Sequence, residues 1–449
     1  MDRREELREK MDRVSPSLCL AKWTQVTLHL HNGTNHCGYQ PPTHAIDRRE
    51  IAANPSALHN TAQKKEQRRR MLAGERPEEC SYCWAQETAN PKSSDRLTKS
   101  ASAWSRPFLQ EILDIGSQGD FVPRKVEINL GSDCNFKCSY CTPAVSSRWR
   151  SEIKELGPYP TSTNYNSLLG LPEEFRKGAP NPYLEAWWKW WPELSKKLLV
   201  FRITGGEPLL QDSLFRILAD ILAEPKPNLE LAVNTNLCPP EDRWKKFLSL
   251  AAALCEEKAV REFTVFTSAD AWGKQAEYIR YGMDFFLWLK RVEEFLHAIP
   301  AGKIKIMATY NALSAPSFGR LLEEVLRIKQ DRTFARGLRE YQLEIDVHCL
   351  VDPPHQSIFL LPPHFASVIE QQVAFMRAHQ GMDGFSRAEI EKLESVFQLF
   401  LSHIAKKNEH SVEKADLLRF LLEHDRRRGT DFQKTFPELR EIFTIPVGV

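Results

Sequence analysis

The chain has 449 residues, 42% hydrophobic and 27% charged, the make-up of a globular protein and not of a disordered or fibrous one. Sixty-one basic side chains against 59 acidic leave a formal charge of +2, so there is no global field of the kind that gathers nucleic acid or anionic membrane. The opening MDRREELREKMDRVSPS lacks the apolar core of a signal peptide, and no later stretch reaches the roughly 18 to 20 apolar residues of a membrane span, which predicts a cytoplasmic protein.

Reducing compartments keep thiols free, so the ten cysteines read as metal ligands or catalytic groups before disulfides. Cys19, Cys37, Cys80, Cys83, Cys134, Cys138 and Cys141 fall in the first third, while Cys238, Cys255 and Cys349 are scattered and read as ordinary thiols.

In chain order, residues 1–120 form a Cys-, His-, Asn- and Pro-rich N-terminal region in which Cys19, Cys37, Cys80 and Cys83 give C-x17-C-x42-C-x2-C. Four thiolates complete the protein ligation of a [4Fe–4S] cluster, leaving no open iron. A four-cysteine zinc site has the same count, with His29, His31, His36 or His44 able to replace a thiolate, and unligated thiols are the third reading. The run KKEQRRR at 64–70 reads as the solvated face of a helix sooner than as a grip on an acidic peptide or phosphate.

Residues 121–355 alternate short β-rich runs with longer helical patterns. The expected strands are KVEINL (125–130), LLVFRIT (198–204), LELAVNT (229–235), EFTVFTS (262–268), KIKIMAT (303–309) and YQLEIDV (341–347). Amphipathic stretches such as DSLFRILADILAE (212–224) and SFGRLLEEVLRIK (317–329) lie between them. The order predicts an α/β protein, a partial (β/α)6 TIM-type barrel with an N-terminal cysteine-rich extension and a helical C-terminal tail over 356–449 that serves packing or a lid. An insertion at about 156–192 leaves as a loop and returns through NPYLEAWWKWWPEL, whose Trp187, Trp188, Trp190 and Trp191 are expected to cover the barrel's outer face and not to wall a substrate cavity.

The segment GSDCNFKCSYC follows the first of these strands and gives C-x3-C-x2-C at Cys134, Cys138 and Cys141. Three thiolates on one tight loop can hold a four-iron cluster while leaving one iron open to a substrate. A closed zinc site wants a fourth ligand and fits poorly. At the end of the second strand, FRITGGEPLL supplies Gly205, Gly206, Glu207 and Pro208: glycines that let backbone approach closely and a carboxylate that accepts hydrogen bonds. The alternative is a turn with a solvated Glu.

With Tyr140 just before the third cysteine, residues 122–350 resemble the radical S-adenosylmethionine superfamily. The resemblance implies that the amino and carboxylate groups of S-adenosylmethionine chelate the open iron and that the Gly-Gly-Glu-Pro segment meets the methionine amino group. It further implies ribose and carboxylate contacts from Asn234, Asn236, Ser268 and Asp270 and a supporting guanidinium at Arg280, residues that otherwise read as strand-end caps or surface contacts. The N-terminal cysteines, with RRRMLAGERPEECSYCWAQE, look like the auxiliary-cluster domains called twitch and SPASM, although in familiar members these follow the barrel.

The implied activity is an oxidoreductase-type radical reaction: reductive cleavage of S-adenosylmethionine, fed by a donor such as flavodoxin or ferredoxin, with hydrogen abstraction from a peptide or protein. A small-molecule dehydrogenase, an RNA-modifying enzyme and a non-catalytic electron-transfer or scaffold protein are the alternatives. Asp346, two residues before His348 on the last strand, is the candidate proton relay, weighed against a plain polar strand end.

Overall fold

The computed structural model of the chain describes residues 3–38, 41–90, 94–171, 174–175, 179–331, 342–406 and 410–443. Tyr341 of the sixth expected strand, Lys407 of a tail helix and parts of the insertion lie outside them. The strands, in chain order, are β1 (Gln25–His29), β2 (Thr34–His36), β3 (His44–Ala45), β4 (Lys125–Asn129), β5 (Lys137–Cys138), β6 (Val200–Thr204), β7 (Lys226–Asn234), β8 (Val260–Ser268), β9 (Arg280–Tyr281), β10 (Lys303–Tyr310) and β11 (Leu343–Cys349).

The six expected strands form as β4, β6, β7, β8, β10 and β11, and they lie side by side in that order, every pair parallel. Consecutive order with a helix in each crossover is the winding of a partial barrel, since a doubly wound sheet reverses its order part-way. Alternation decides the faces. Phe201 and Phe263 bury against the crossover helices, where Trp187, Phe247 and Phe295 pack with ring centroids 5.8, 6.1 and 6.3 Å away. On the opposite face Arg202 crosses from β6, donating from Nε to Asn234 Oδ1 at 2.8 Å and lying 4.1 Å over the Phe266 ring.

The aromatic helix Pro182–Leu194 behaves as its spacing predicts: Trp187, Trp190 and Trp191 are buried, and Trp191 stacks within 5.4 Å of Phe201 on the sheet's outer face. Trp188, partly buried, lies under the Arg216 guanidinium at 3.7 Å.

The N-terminal region is more tightly joined to the barrel than an extension implies. β1 pairs in parallel with β4 from Gln25↔Lys125 to His29↔Asn129, and β2 and β3 continue the sheet antiparallel beyond it. The cause lies in QVTLHL, whose Val26, Leu28 and Leu30 alternate with polar residues and bury with the barrel core. An unpaired β4 edge is thereby covered. The tail covers the other edge: in the helix Arg387–Ala405, Glu389 Oε1 accepts from the Ile345 N–H of β11 at 2.8 Å. This helix packs against the sheet edge. Among the described residues no helix is long and apolar enough to cross a membrane.

Candidate active site

β4 ends at Asn129 and the three-cysteine loop follows directly, at the carboxyl edge where loops of a parallel barrel converge. The loop is fixed by its backbone. Cys138 pairs antiparallel with Arg280 in the short β5–β9 ladder, and Ser139 N donates to Ile279 O at 2.7 Å. Its carbonyls are satisfied from outside: Trp149 Nε1 donates to Cys138 O at 3.0 Å and the Tyr165 hydroxyl to Tyr140 O at 2.6 Å. Gln356 takes the two remaining polar groups of Ser139, accepting from its hydroxyl at 2.7 Å and donating to its carbonyl at 3.0 Å. The thiols of Cys134, Cys138 and Cys141 are therefore left as the loop's chemistry. Burial pushes all three up, Cys141 to about 12, with the charge of Cys138 adding at Cys134 and Cys141 and that of Asp270 at Cys138, so as thiolates they call for cations.

Three further expected residues meet behind the loop. Asp270, fully buried, accepts from the Tyr140 hydroxyl at 2.7 Å, from Arg280 Nη2 at 2.9 Å and from Thr309 N at 2.8 Å. Arg280 Nη1 stands 3.7 Å from Cys138 Sγ. Asp270 is thus occupied by protein donors, and its place in the geometry is to hold Arg280 and Tyr140 against the cysteine loop.

Glu207 is only 1% exposed, which overturns the reading of a solvated turn. Its oxygens accept from Leu209 N at 3.0 Å and Asn236 N at 2.7 Å, and burial raises its carboxyl to about 7. A carboxylate has about four acceptor sites, so room remains for a donor. The groups acting on it are neutral donors, with no cation among them. A Cβ at Gly206 would stand 2.4 Å from Asp133 O, so the glycine lets this turn press against the cysteine loop. Gly206 N and Glu207 N then donate to Gly131 O and Asp133 O at 2.8 and 2.7 Å. Pro208 opens the short helix that Glu207 caps.

Asn236 bridges to the loop through Asn135 Oδ1 at 2.7 Å, while Asn234 is engaged by Arg202. Ser268 ends β8 opposite Met307. Asp346 stands apart from this group of contacts. His348 Nε2 lies 3.0 Å and Lys392 Nζ 3.4 Å from its carboxylate, and the His348 hydrogen bond holds it down at about 2. So weak a base is poorly matched to taking a proton near neutrality, which favours an ion pair over a relay.

The N-terminal cysteines also converge. Cys19, Cys37, Cys80 and Cys83 line one cavity with Lys22, and Cys37 and Cys80 share a hydrogen bond. None of the four nearby histidines lines it: His29 Nε2 faces His36 Nε2 at 3.0 Å, His44 Nε2 faces Thr61 Oγ1 at 3.2 Å, and His31 lies 3.8 Å from Glu174. Among the described residues, no three His, Cys, Asp or Glu side chains are grouped as for a single bound ion. The charge run at 64–70 departs from expectation. Lys65 and Arg69 face outward, whereas Lys64, Gln67 and Arg68 of the helix Ala62–Leu72 are buried behind the cysteines.

No family model matches the chain. Over 111 residues it is 27% identical to the GTP 3′,8-cyclase of Nautilia profundicola, a match covering 25% of this chain and 27% of that protein. In its three-cysteine loop and Gly-Gly-Glu-Pro turn the chain resembles the radical S-adenosylmethionine superfamily. The match spans about a quarter of the length of that curated relative. Among solved structures, it is similar to Streptococcus suis SuiB bound to S-adenosylmethionine, with a TM-score of 0.38 and 13% identity over 82% of this chain and 71% of that one. For SuiB bound to precursor peptide SuiA the TM-score is 0.36, with 12% identity over 79% and 70%. The superfamily implies a [4Fe–4S] cluster and S-adenosylmethionine.

Residues that hold the three-cysteine loop carried no signal in the sequence. Trp149, Tyr165 and Gln356 act on backbone carbonyls through 11, 25 and 217 residues of sequence separation, and no spacing announces such contacts. Arg202 carried a signal: a charge in the middle of VFRIT must face away from the helices.

Proposed function

We propose that Cys134, Cys138 and Cys141 hold the superfamily's [4Fe–4S] cluster and that the chain cleaves S-adenosylmethionine reductively, for hydrogen abstraction from a peptide. The observation that carries the reading is a buried carboxyl, Glu207, whose partners are neutral, set against a loop that offers three thiols and no fourth. The donor set fits a cluster with one open iron, and Glu207 fits an amino group beside it. When bound, the reduced cluster supplies an electron to the sulfonium and so a 5′-deoxyadenosyl radical.

The chain's own residues bind and orient. Glu207 accepts from the methionine amino group, and Gly205 and Gly206 keep that acceptor against the loop. Arg280, held by Asp270, supports charge beside Cys138, while Asn234, Asn236 and Ser268 stand at strand ends for the ribose and carboxylate. Cys19, Cys37, Cys80 and Cys83 hold a second [4Fe–4S] cluster. The peptide reading follows from the twitch-like cysteine set, and a flavodoxin- or ferredoxin-class donor supplies electrons. The test is anaerobic reconstitution followed by chromatography for 5′-deoxyadenosine and methionine. A cluster that forms without either product leaves the scaffold reading. Transfer of deuterium from a labelled candidate peptide into 5′-deoxyadenosine tests the substrate.

Glu207→Gln is expected to weaken S-adenosylmethionine binding by about tenfold or more, since a hydrogen bond to a charged group contributes roughly 1.5–3 kcal/mol. The amide also sets an NH2 against a backbone N–H, so calorimetric affinity is compared at equal iron content and equal folded fraction. Unchanged affinity makes the segment a turn only.

In the Cys134→Ala, Cys138→Ala, Cys141→Ala variant, about four irons and four sulfides are expected to remain, as a complete thiolate set provides. S-adenosylmethionine binding should be lost. Metal analysis with Mössbauer spectroscopy decides: one zinc and no iron rejects the second cluster and leaves the barrel cluster standing.

A further inference from the structure

Three cations are buried behind the N-terminal cysteines: Lys22 at 2%, Lys64 at 1% and Arg68 at 0% exposure. Their hydrogen-bond partners outside the cysteines are all neutral. Lys22 Nζ donates to Gln67 Oε1 at 2.8 Å, and Lys64 Nζ to Gln25 O at 3.0 Å and to His59 Nδ1 at 2.9 Å. Arg68 donates to Asn60 Oδ1 at 3.0 Å and Lys22 O at 3.3 Å. The other cations of this site bring their own carboxylates, Arg96 with Glu87 and Lys99 with Asp95 at 2.6 Å. A buried cation without a hydrogen-bonded anion is costly; Asp120 acts on Arg68 and Glu79 on Lys22 from a distance, and the anions at hand in the cavity that Lys22 lines are the thiolates. Lys22 lines the same cavity as the four cysteines and hydrogen-bonds Cys37, whereas burial and the neighbouring Arg68 push the Lys64 ammonium well down and leave Lys22 as the standing cation.

We propose that Lys22 is the counter-cation of the auxiliary cluster and raises its reduction potential. This rests on the reading that the four cysteines hold a four-iron cluster. Such a cluster with four thiolates is a dianion when oxidised and gains a further negative charge on reduction. A fixed cation stabilises the reduced form more, so removing it lowers the potential.

The test uses the full chain with Cys134, Cys138 and Cys141 replaced by Ala, so that only the auxiliary cluster titrates, followed by electron paramagnetic resonance at poised potentials. Lys22→Met is expected to lower the one-electron reduction equilibrium constant about tenfold or more, a shift of ~59 mV or beyond. Lys22→Arg should stay within about threefold of the parent by the same conversion. Lys65→Met, whose ammonium pairs with Asp120 on the outer face, should not move the potential. Lys22→Gln repeats the measurement with a polar neutral side chain. A neutral variant with parental iron, sulfide and potential overturns the proposal. Iron lost from both neutral variants and kept in Lys22→Arg supports the counter-charge role, while iron lost from all three overturns it as a structural requirement. Zinc in the parent instead rejects the cluster reading beneath it.

Discussion

Cys134→Ala protein, reconstituted with iron and sulfide under reduction, is expected to form 5′-deoxyadenosine only at background. The loop supplies three thiols, and Phe136 N donates to Cys134 Sγ at 3.4 Å, an arrangement that suits a thiolate and has no purpose for a methyl. Of the other cysteines, Cys238 Sγ points to Asp284 O at 3.8 Å, and Cys255 lies in the last turn of the helix Glu241–Glu256. Two thiolates leave two irons of a cubane open where the reaction requires one, so the defect falls on cluster assembly as well as on binding. Chromatography of the nucleoside measures turnover, and iron content measures assembly. Cys255→Ala serves as the control and should retain activity. Undiminished 5′-deoxyadenosine from Cys134→Ala contradicts the assignment of the loop.

Much of the barrel was legible because its signals are local. KVEINL, LLVFRIT and KIKIMAT alternate in period two, and the aromatic helix repeats Trp187 and Trp191 four residues apart, so each element could be read without knowing its neighbours. The parallel pairing of β1 with β4 was not legible. Gln25 and Lys125 are brought together across the whole N-terminal region, and a five-residue strand does not name its partner. The run at 64–70 shows the same limit. Lys64 and Arg68 lie four apart on one helix face, but a charged face is read as solvated until the cysteines and His59 are seen to stand against it. The packing of Gly206 against the cysteine loop was not legible, because close approach to a ligand and to another loop demand the same residue.

Arg280→Met is expected to destabilise the fold by about 3–5 kcal/mol, the usual consequence of removing one partner of a buried ion pair. Asp270 is fully buried, and Arg280 Nε and Nη2 reach its two oxygens at 2.8 and 2.9 Å. Once the guanidinium is gone, Tyr140 and Thr309 N still donate to the carboxylate, but no charge offsets it. A loss of this size is a large part of the roughly 5–15 kcal/mol that holds a domain folded. The cause is separable from lost packing. Asp270→Asn in the Arg280→Met background removes the stranded charge while keeping an acceptor for Thr309 N, so the double variant should recover most of the stability. Urea denaturation of the apo proteins, with midpoints compared at equal slope, gives the cycle. Equal destabilisation of the single and double variants would show that Arg280 acts by filling space. Because Arg280 Nη1 also stands 3.7 Å from Cys138 Sγ, the recovered double variant should load iron yet bind S-adenosylmethionine more weakly, which separates the guanidinium's place at the loop from its part in the fold.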